Sequence, residues 1–274
     1  MTTTTSAPTV PATPVRHSRL YWTFSDAMAI TWRNLIGYLR IPQALFFSTL
    51  QPVMFVLLFR YVFGGAVPIR GLDYVDYLLP GVFVQTMLFG GAGTAIGLAE
   101  DSSKGLIERF RSLPMARSAV LAGRTLADMC RNVFVFLLMT VVGYLVGFRV
   151  HTNVFGYLAA FALVIAFSYA LAWGFAALAM SAPNGETAQL MTFPIVFPFV
   201  FASSAFVPTA TMPGWLQAFA NNQPVTKMVN ATRALMLGGP TSTAVLHAVL
   251  WTVGALIVLM PLAVARYRRA GIVS

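Results

Sequence analysis

Apolar residues fall in six runs of about membrane length, over 43–63, 77–99, 126–148, 154–180, 187–207 and 244–265, with polar and charged residues gathered between them. A helix needs roughly 20 residues to cross about 30 Å of hydrocarbon, so the pattern predicts an all-α integral membrane protein with six transmembrane helices. The fifth run carries Pro194 and Pro198, which predicts a kinked or broken helix whose freed backbone groups are satisfied inside the bundle. Ahead of the first run, Phe24, Met28, Trp32, Leu35 and Leu39 recur every three to four residues, with Asp26, Arg33, Asn34 and Arg40 available to the other side. That periodicity predicts an N-terminal amphipathic interfacial helix over 21–42, with Gly37 and Pro42 marking a turn before the first span. Residues 1–20, rich in Thr, Ala and Pro, read as a disordered tail, 43–265 as the transmembrane domain and 266–274 as a basic tail.

Composition agrees: 58% of residues are apolar, 9% are charged and mean hydropathy is +0.74, outside the range of a soluble domain. The net charge of +10 is distributed unevenly. Arg33, Arg40, Lys104, Arg109, Arg111, Arg117, Arg124, Arg266, Arg268 and Arg269 fall on one side of the predicted spans. The other side holds Arg60, Arg70, Arg149, Lys227 and Arg233, with Asp73 and Asp76 among them. The basic side is the cytoplasmic one, which places both termini there. The excess charge therefore points to membrane topology and anionic lipid, not to nucleic acid.

Candidate chemistry is sparse. The Gly90 to Thr94 run lacks the Lys of a phosphate-binding loop and lies inside an apolar run. Gly93 with Gly97, and Gly143 with Gly147, are G-x-x-x-G pairs suited to close helix contact. Cys130 is the sole cysteine, and His17, His151 and His247 are dispersed, so no disulfide or metal site is expected. Gln51, Arg60, Gln85, Thr86, Asn132, Thr140 and Gln189 are the polar residues available to an internal route. Gln85 and Thr86 lie deepest and are the candidate pathway residues; Arg60 and Arg131 are expected to snorkel to the interface. Glu100, Asp128 and Glu186 all fall near span ends, which weakens the case for an ion-coupled secondary carrier.

Two segments outside the spans stand out. From Phe206 to Phe219, apolar Val207, Met212, Trp215 and Leu216 are interspersed with Pro208, Pro213 and Gly214. This predicts a short extracellular re-entrant element between helices five and six, with Trp215 and Phe219 as a candidate exit element. The second segment is the 100–124 loop, where Leu106, Ile107, Phe110 and Leu113 can line one side of a short helix while Glu108, Arg109 and Arg111 present charge.

In this loop Asp101, Gly105 and Glu108-Arg109-Phe110-Arg111-Ser112-Leu113-Pro114 follow the second span. A second stretch runs from Met212-Pro213-Gly214-Trp215 through Asn222-Gln223-Pro224-Val225 to Ala231-Thr232-Arg233-Ala234-Leu235. From about residue 20 onward, the chain resembles the permease subunits of ABC-2 type ABC transporters, especially the daunorubicin-resistance-like branch. The resemblance implies a transport subunit with no catalytic residues, ATPase site or cofactor of its own. It would pair with a second copy of itself and with two separate nucleotide-binding subunits that carry ATP and Mg. The loop after the second span would receive their motion, which puts coupling on Glu108, Arg109, Arg111 and Pro114. The implied activity is export of a hydrophobic or amphiphilic drug, lipid or glycolipid across a bacterial cell membrane, with a polysaccharide or lipid-linked glycan exporter as the nearest alternative.

Overall fold

The computed structural model describes residues 19–40, 42–64, 71–106 and 117–269. The helices are α1 (Arg19–Arg40), α2 (Pro42–Leu58), α3 (Tyr74–Ser103), α4 (Arg117–Val146), α5 (Val154–Ala179), α6 (Gly185–Phe201), α7 (Gly214–Asn222), α8 (Pro224–Leu237) and α9 (Thr241–Arg269). A wide π-helical turn (Phe59–Phe63) extends α2, and a single 3-10 turn (Thr209–Thr211) precedes α7. Among the described residues, four helices are long and apolar enough to cross a membrane: α3, α4, α5 and α9. The chain is thus an all-α, multi-span membrane protein. Where the first span is expected, the structure has a shorter apolar helical stretch, Thr49–Val62. The expected fifth is the 17-residue α6, which runs through Pro194 and Pro198 before ending at Phe201.

The bundle is organised around α3. Its most apolar window is 72% buried inside the chain, against 17% for α9, so α3 is the central helix while α9 offers most of its surface outward. Helices α2, α4, α5, α6 and α8 all pack on α3, and α9 lies against α5 and α8. Lipid tails are as apolar as the side chains, so close packing rather than escape from water must hold such helices together. The contacts show that packing: Phe83 of α3 stacks on Phe136 of α4 with centroids 4.4 Å apart. A Cβ on Gly91 would run into the Phe175 ring of α5.

Of the two predicted G-x-x-x-G pairs, the second separates into two roles. Gly143 meets the Leu79 side chain, whereas Gly147 ends α4 at φ +106° with open space beside it. The amide of Phe148 donates to the Gly143 carbonyl at 2.9 Å and that of Gly147 to Tyr144 at 3.3 Å. This is a Schellman cap, which glycine favours because it lacks a Cβ.

After α6 the chain turns inward. Ser203, Ser204, Ala205 and Phe206 are buried, and the hydroxyls of Tyr74 and Tyr77 donate to the carbonyls of Phe206 and Ser204 at 3.2 and 3.0 Å. Gly81 lies where this returning backbone touches α3, and a Cβ there would overlap the Ala205 carbonyl. Beyond it, the segment expected to form one short element is a 3-10 turn followed by α7, which buries only Ala220. The next helix, α8, lies between the fifth and sixth predicted spans. It is packed into the bundle through Val225, Met228, Val229, Ala231 and Met236.

Gly81→Ala should therefore destabilise the detergent-solubilised protein by about 1–3 kcal/mol, the usual range for overpacking. Gly254→Ala, where a Cβ meets nothing within 4 Å, should be neutral or mildly stabilising. Equal melting temperatures for the two variants would contradict the close approach at Gly81.

Candidate functional site

A polar assembly joins α1, α3 and α4. Arg124, Asp128 and Arg131 share one face of α4 at i, i+4 and i+7. Arg124 Nη1 lies 3.2 Å from Asp101 Oδ2 at the end of α3, and Arg33 of α1 reaches the same oxygen at 3.9 Å. Arg124 Nε stands 3.5 Å from Asp128 Oδ2, an ion pair without hydrogen-bond geometry. Arg131 Nη1 is 4.0 Å from Asp128 Oδ1, and the Tyr38 hydroxyl of α1 donates to that oxygen. Burial, reinforced by the Asp128 carboxylate, pushes the Tyr38 phenol up to about 12, so it remains a proton donor at physiological pH.

Space for these guanidinium groups comes from α3. A Cβ on Gly97 would overlap Arg124, one on Gly93 would stand 3.2 Å from Arg131 Nη1, and one on Gly90 would stand 2.7 Å from Asn132 Oδ1. Arg131 Nη2 donates to the Gly90 carbonyl at 2.7 Å. The first predicted G-x-x-x-G pair thus admits charged side chains instead of a neighbouring backbone. One other expectation is corrected. Arg131 lies inside the bundle and does not snorkel. Asp128, near the predicted span end, is fully buried.

Next to Arg131 is a cavity of about 140 Å³ between α2, α3 and α4. The predicted pathway residues Gln85 and Thr86 both line it, together with Gln51, Phe89 and Asn132. Gln85 is only 2% exposed, and its Oε1 has no hydrogen-bond partner among the described residues. The structure thus brings four of the seven polar candidates together. The other three lie apart: Thr140 pairs with Tyr157 at 2.9 Å, Gln189 is exposed on α6 and Arg60 lies in the π-helical turn.

At the opposite end of α3, Asp76 Oδ2 meets His151 Nε2 at 3.1 Å and Asp76 Oδ1 accepts from the Arg149 amide at 3.0 Å. Arg233 of α8, counted from sequence among loop charges, lies 3.7 Å over the Tyr77 ring and donates to the Tyr77 and Ser204 carbonyls at 3.0 Å. Of the proposed exit residues, Trp215 is 76% exposed and Phe219 42%, with the Phe219 ring 5.9 Å from that of Phe199. Packing within one chain does not shield them. Glu108, Arg109, Arg111 and Pro114 lie outside the described residues, but the segment carrying them is bounded by the Asp101–Arg124 ion pair. Among the described residues, no three His, Cys, Asp or Glu side chains gather as metal ligands.

Sequence reasoning missed Tyr38, Arg124 and Asp128 as one unit. A usable signal was present: charges on α4 at 124, 128 and 131 have nearly the spacing of glycines on α3 at 90, 93 and 97.

The family model for ABC-2 type transporters matches residues 26–237. The chain belongs to that family. It is 34% identical over 244 residues to the daunorubicin resistance ABC transporter permease protein DrrB1 of Streptomyces coeruleorubidus, covering 89% of this chain and 86% of the relative. It is 28% identical over 222 residues to the probable doxorubicin resistance permease DrrC of Mycobacterium tuberculosis, covering 80% and 79%. A putative transport permease, ycf38 of Pyropia yezoensis, is 25% identical over 221 residues, covering 77% and 73%. The chain is thus an ABC-2 permease of the DrrB and DrrC branch, the family that the 100–124 and 212–235 motifs resemble.

In this permease, Asp128→Ala should cost about 3–5 kcal/mol because it leaves two buried guanidinium groups without their shared counter-ion. Asp101→Ala, at a side chain 23% exposed, should cost about 1 kcal/mol or less. Thermal unfolding in detergent would compare them, and an Asp128→Ala penalty no larger than that of Asp101→Ala would contradict the buried pairing.

Proposed function

We propose that this permease is the membrane subunit of an ATP-driven exporter of hydrophobic or amphiphilic compounds, with drug-like molecules of the kind named for its relatives as the first cargo to test. The geometric observation that supports it most directly is the continuity of the charged cluster. Asp101 and Arg124 bridge the two ends of the 100–124 loop at 3.2 Å. Arg124 leads through Asp128 to Arg131, and Arg131 lines the Gln85 cavity. Motion delivered to the loop would thus reach the cavity wall through α3 and α4, without large rearrangement of the apolar core.

In this reading two copies assemble with two separate ATPase subunits that bind ATP and Mg. Glu108, Arg109, Arg111 and Pro114 form the coupling contact. The six predicted spans cross a bacterial cell membrane with both termini cytoplasmic, α2 and α6 being the two shorter crossings. The exposed Phe24, Met28 and Trp32 of α1 would rest in the cytoplasmic headgroup layer, where such faces bind lipid. Segment 208–220 would sit at the outer exit, with Trp215 and Phe219 shielded by lipid or the second copy. The carrier alternative needs a buried acid that can load ions, but of the two buried acids among the described residues, Asp128 is engaged by two guanidinium groups and a phenol and Asp76 by His151 and the Arg149 amide.

Reconstitution with the partner ATPase and doxorubicin should give ATP-dependent accumulation on the far side of the membrane. The Glu108→Ala, Arg109→Ala double substitution should reduce transport and cargo-stimulated ATP hydrolysis by about tenfold or more while leaving insertion unchanged, since charge-assisted contacts are the strong ones. Full activity of the double variant would remove the coupling assignment. Impermeant thiol labelling in a Cys130→Ala background should modify Asp73→Cys and Asn153→Cys from outside intact cells but not Ser274→Cys. External labelling at 274 would reverse the topology.

A further inference from the structure

The cavity beside Gln85 has a chemistry that narrows what it can hold. Among the described residues its one charged lining side chain is Arg131, whose Nη1 is 4.0 Å from Asp128 and whose Nη2 donates to Gly90 and Asn132 at 2.7 and 3.3 Å. An anion there would compete with Asp128 for the guanidinium, and a cation would face it. The neutral polar groups have spare acceptor capacity. Asn132 Nδ2 is committed to the Ser168 hydroxyl at 2.6 Å, and the Thr86 hydroxyl already donates to the Val82 carbonyl at 2.7 Å. Gln85 Oε1, buried and without a partner among the described residues, is left wanting a donor, which is unfavourable while it stays unmet. Phe89, Pro52 and Val135 supply apolar wall. The volume of about 140 Å³ is close to that of an engineered cavity that takes one six-membered ring. Gln51 is exposed on α2, so one side of the cavity reaches the surface of the chain.

We propose that this cavity is a cargo subsite for an uncharged, hydroxylated six-membered ring carried on an apolar body, with Gln85 accepting a hydroxyl proton and Phe89 covering one ring face. The proposal rests on the permease reading and assigns the subsite to an uncharged ring portion of such a cargo. A ring hydroxyl supplies the donor that Gln85 Oε1 lacks and can in turn accept from Gln85 Nε2. Carbon–hydrogen faces of the same ring lie against Phe89 and Val135.

The test uses the full chain in lipid nanodiscs, without the ATPase, and three radiolabelled probes sharing a tetradecyl chain: the glucoside, the phosphate and the trimethylammonium. Saturable binding above that of empty nanodiscs should be at least about tenfold tighter for the glucoside than for the charged probes. Gln85→Leu should bring the glucoside to within about twofold of the others while leaving their affinities unchanged. Gln51→Trp, at an exposed position, should obstruct the same site and decides the matter if Gln85→Leu does not fold. Equal affinity for all three probes, absence of saturable glucoside binding, or unchanged selectivity in the folded variants would overturn the subsite. Loss of the subsite alongside intact ATP-driven export would leave the permease reading standing, and glucoside selectivity without export would do the reverse.

Discussion

The constraint on which this bundle depends is that two guanidinium groups are held inside an apolar chain. Arg124 and Arg131 lie on α4 with Asp128 between them, and an ion taken out of water is tolerated only when its charge is paired and its donors are satisfied. Pairing within α4 is not sufficient, because the side chains also need room against the next helix. The glycines of α3 at 90, 93 and 97 provide that room, and the Gly90 carbonyl takes up one of the donors. The positions of α3 and α4 are therefore set jointly by electrostatics and by missing side chains. Tyr38 and Arg33 then tie α1 to the same cluster.

The same arrangement gives the central helix two chemically different ends. Around Asp101 the contacts are ion pairs between side chains of α1, α3 and α4. Around Asp76 and Tyr77, Arg233 is satisfied mainly by backbone carbonyls and an aromatic face. Carbonyls cannot leave when a neighbouring side chain rotates, so the Arg233 end locks α8 and the returning 203–206 backbone onto α3. Ion pairs between flexible side chains can re-form over small displacements. The Asp101 end is thus the better suited of the two to accept motion, and it is the end from which the 100–124 loop departs.

Much of this protein was legible in its sequence. The apolar run lengths determined an all-α, multi-span architecture, because a backbone in lipid must satisfy its own hydrogen bonds. The motifs around 101–114 and 212–235 determined the family. Gln85 and Thr86 were legible as polar residues facing a partner or cavity because they sit deep within an apolar run, away from its ends. What only the tertiary structure decided was what each polar residue faces. The glycines of α3 read as helix-contact motifs because a gap records the absence of a side chain and not the identity of what fills it. The partners of Asp128 could not be read, because Tyr38, Arg124 and Arg131 become one unit with it only when α1 packs on α4. Arg233 read as a loop charge because α8 is only 14 residues long and too polar to register as a span, and burial of its apolar face depends on α3, α5 and α9 being in place. Sequence periodicity reports which face of a helix is apolar. Contacts between elements far apart in the chain determine which charges meet, and these arise only when the bundle closes.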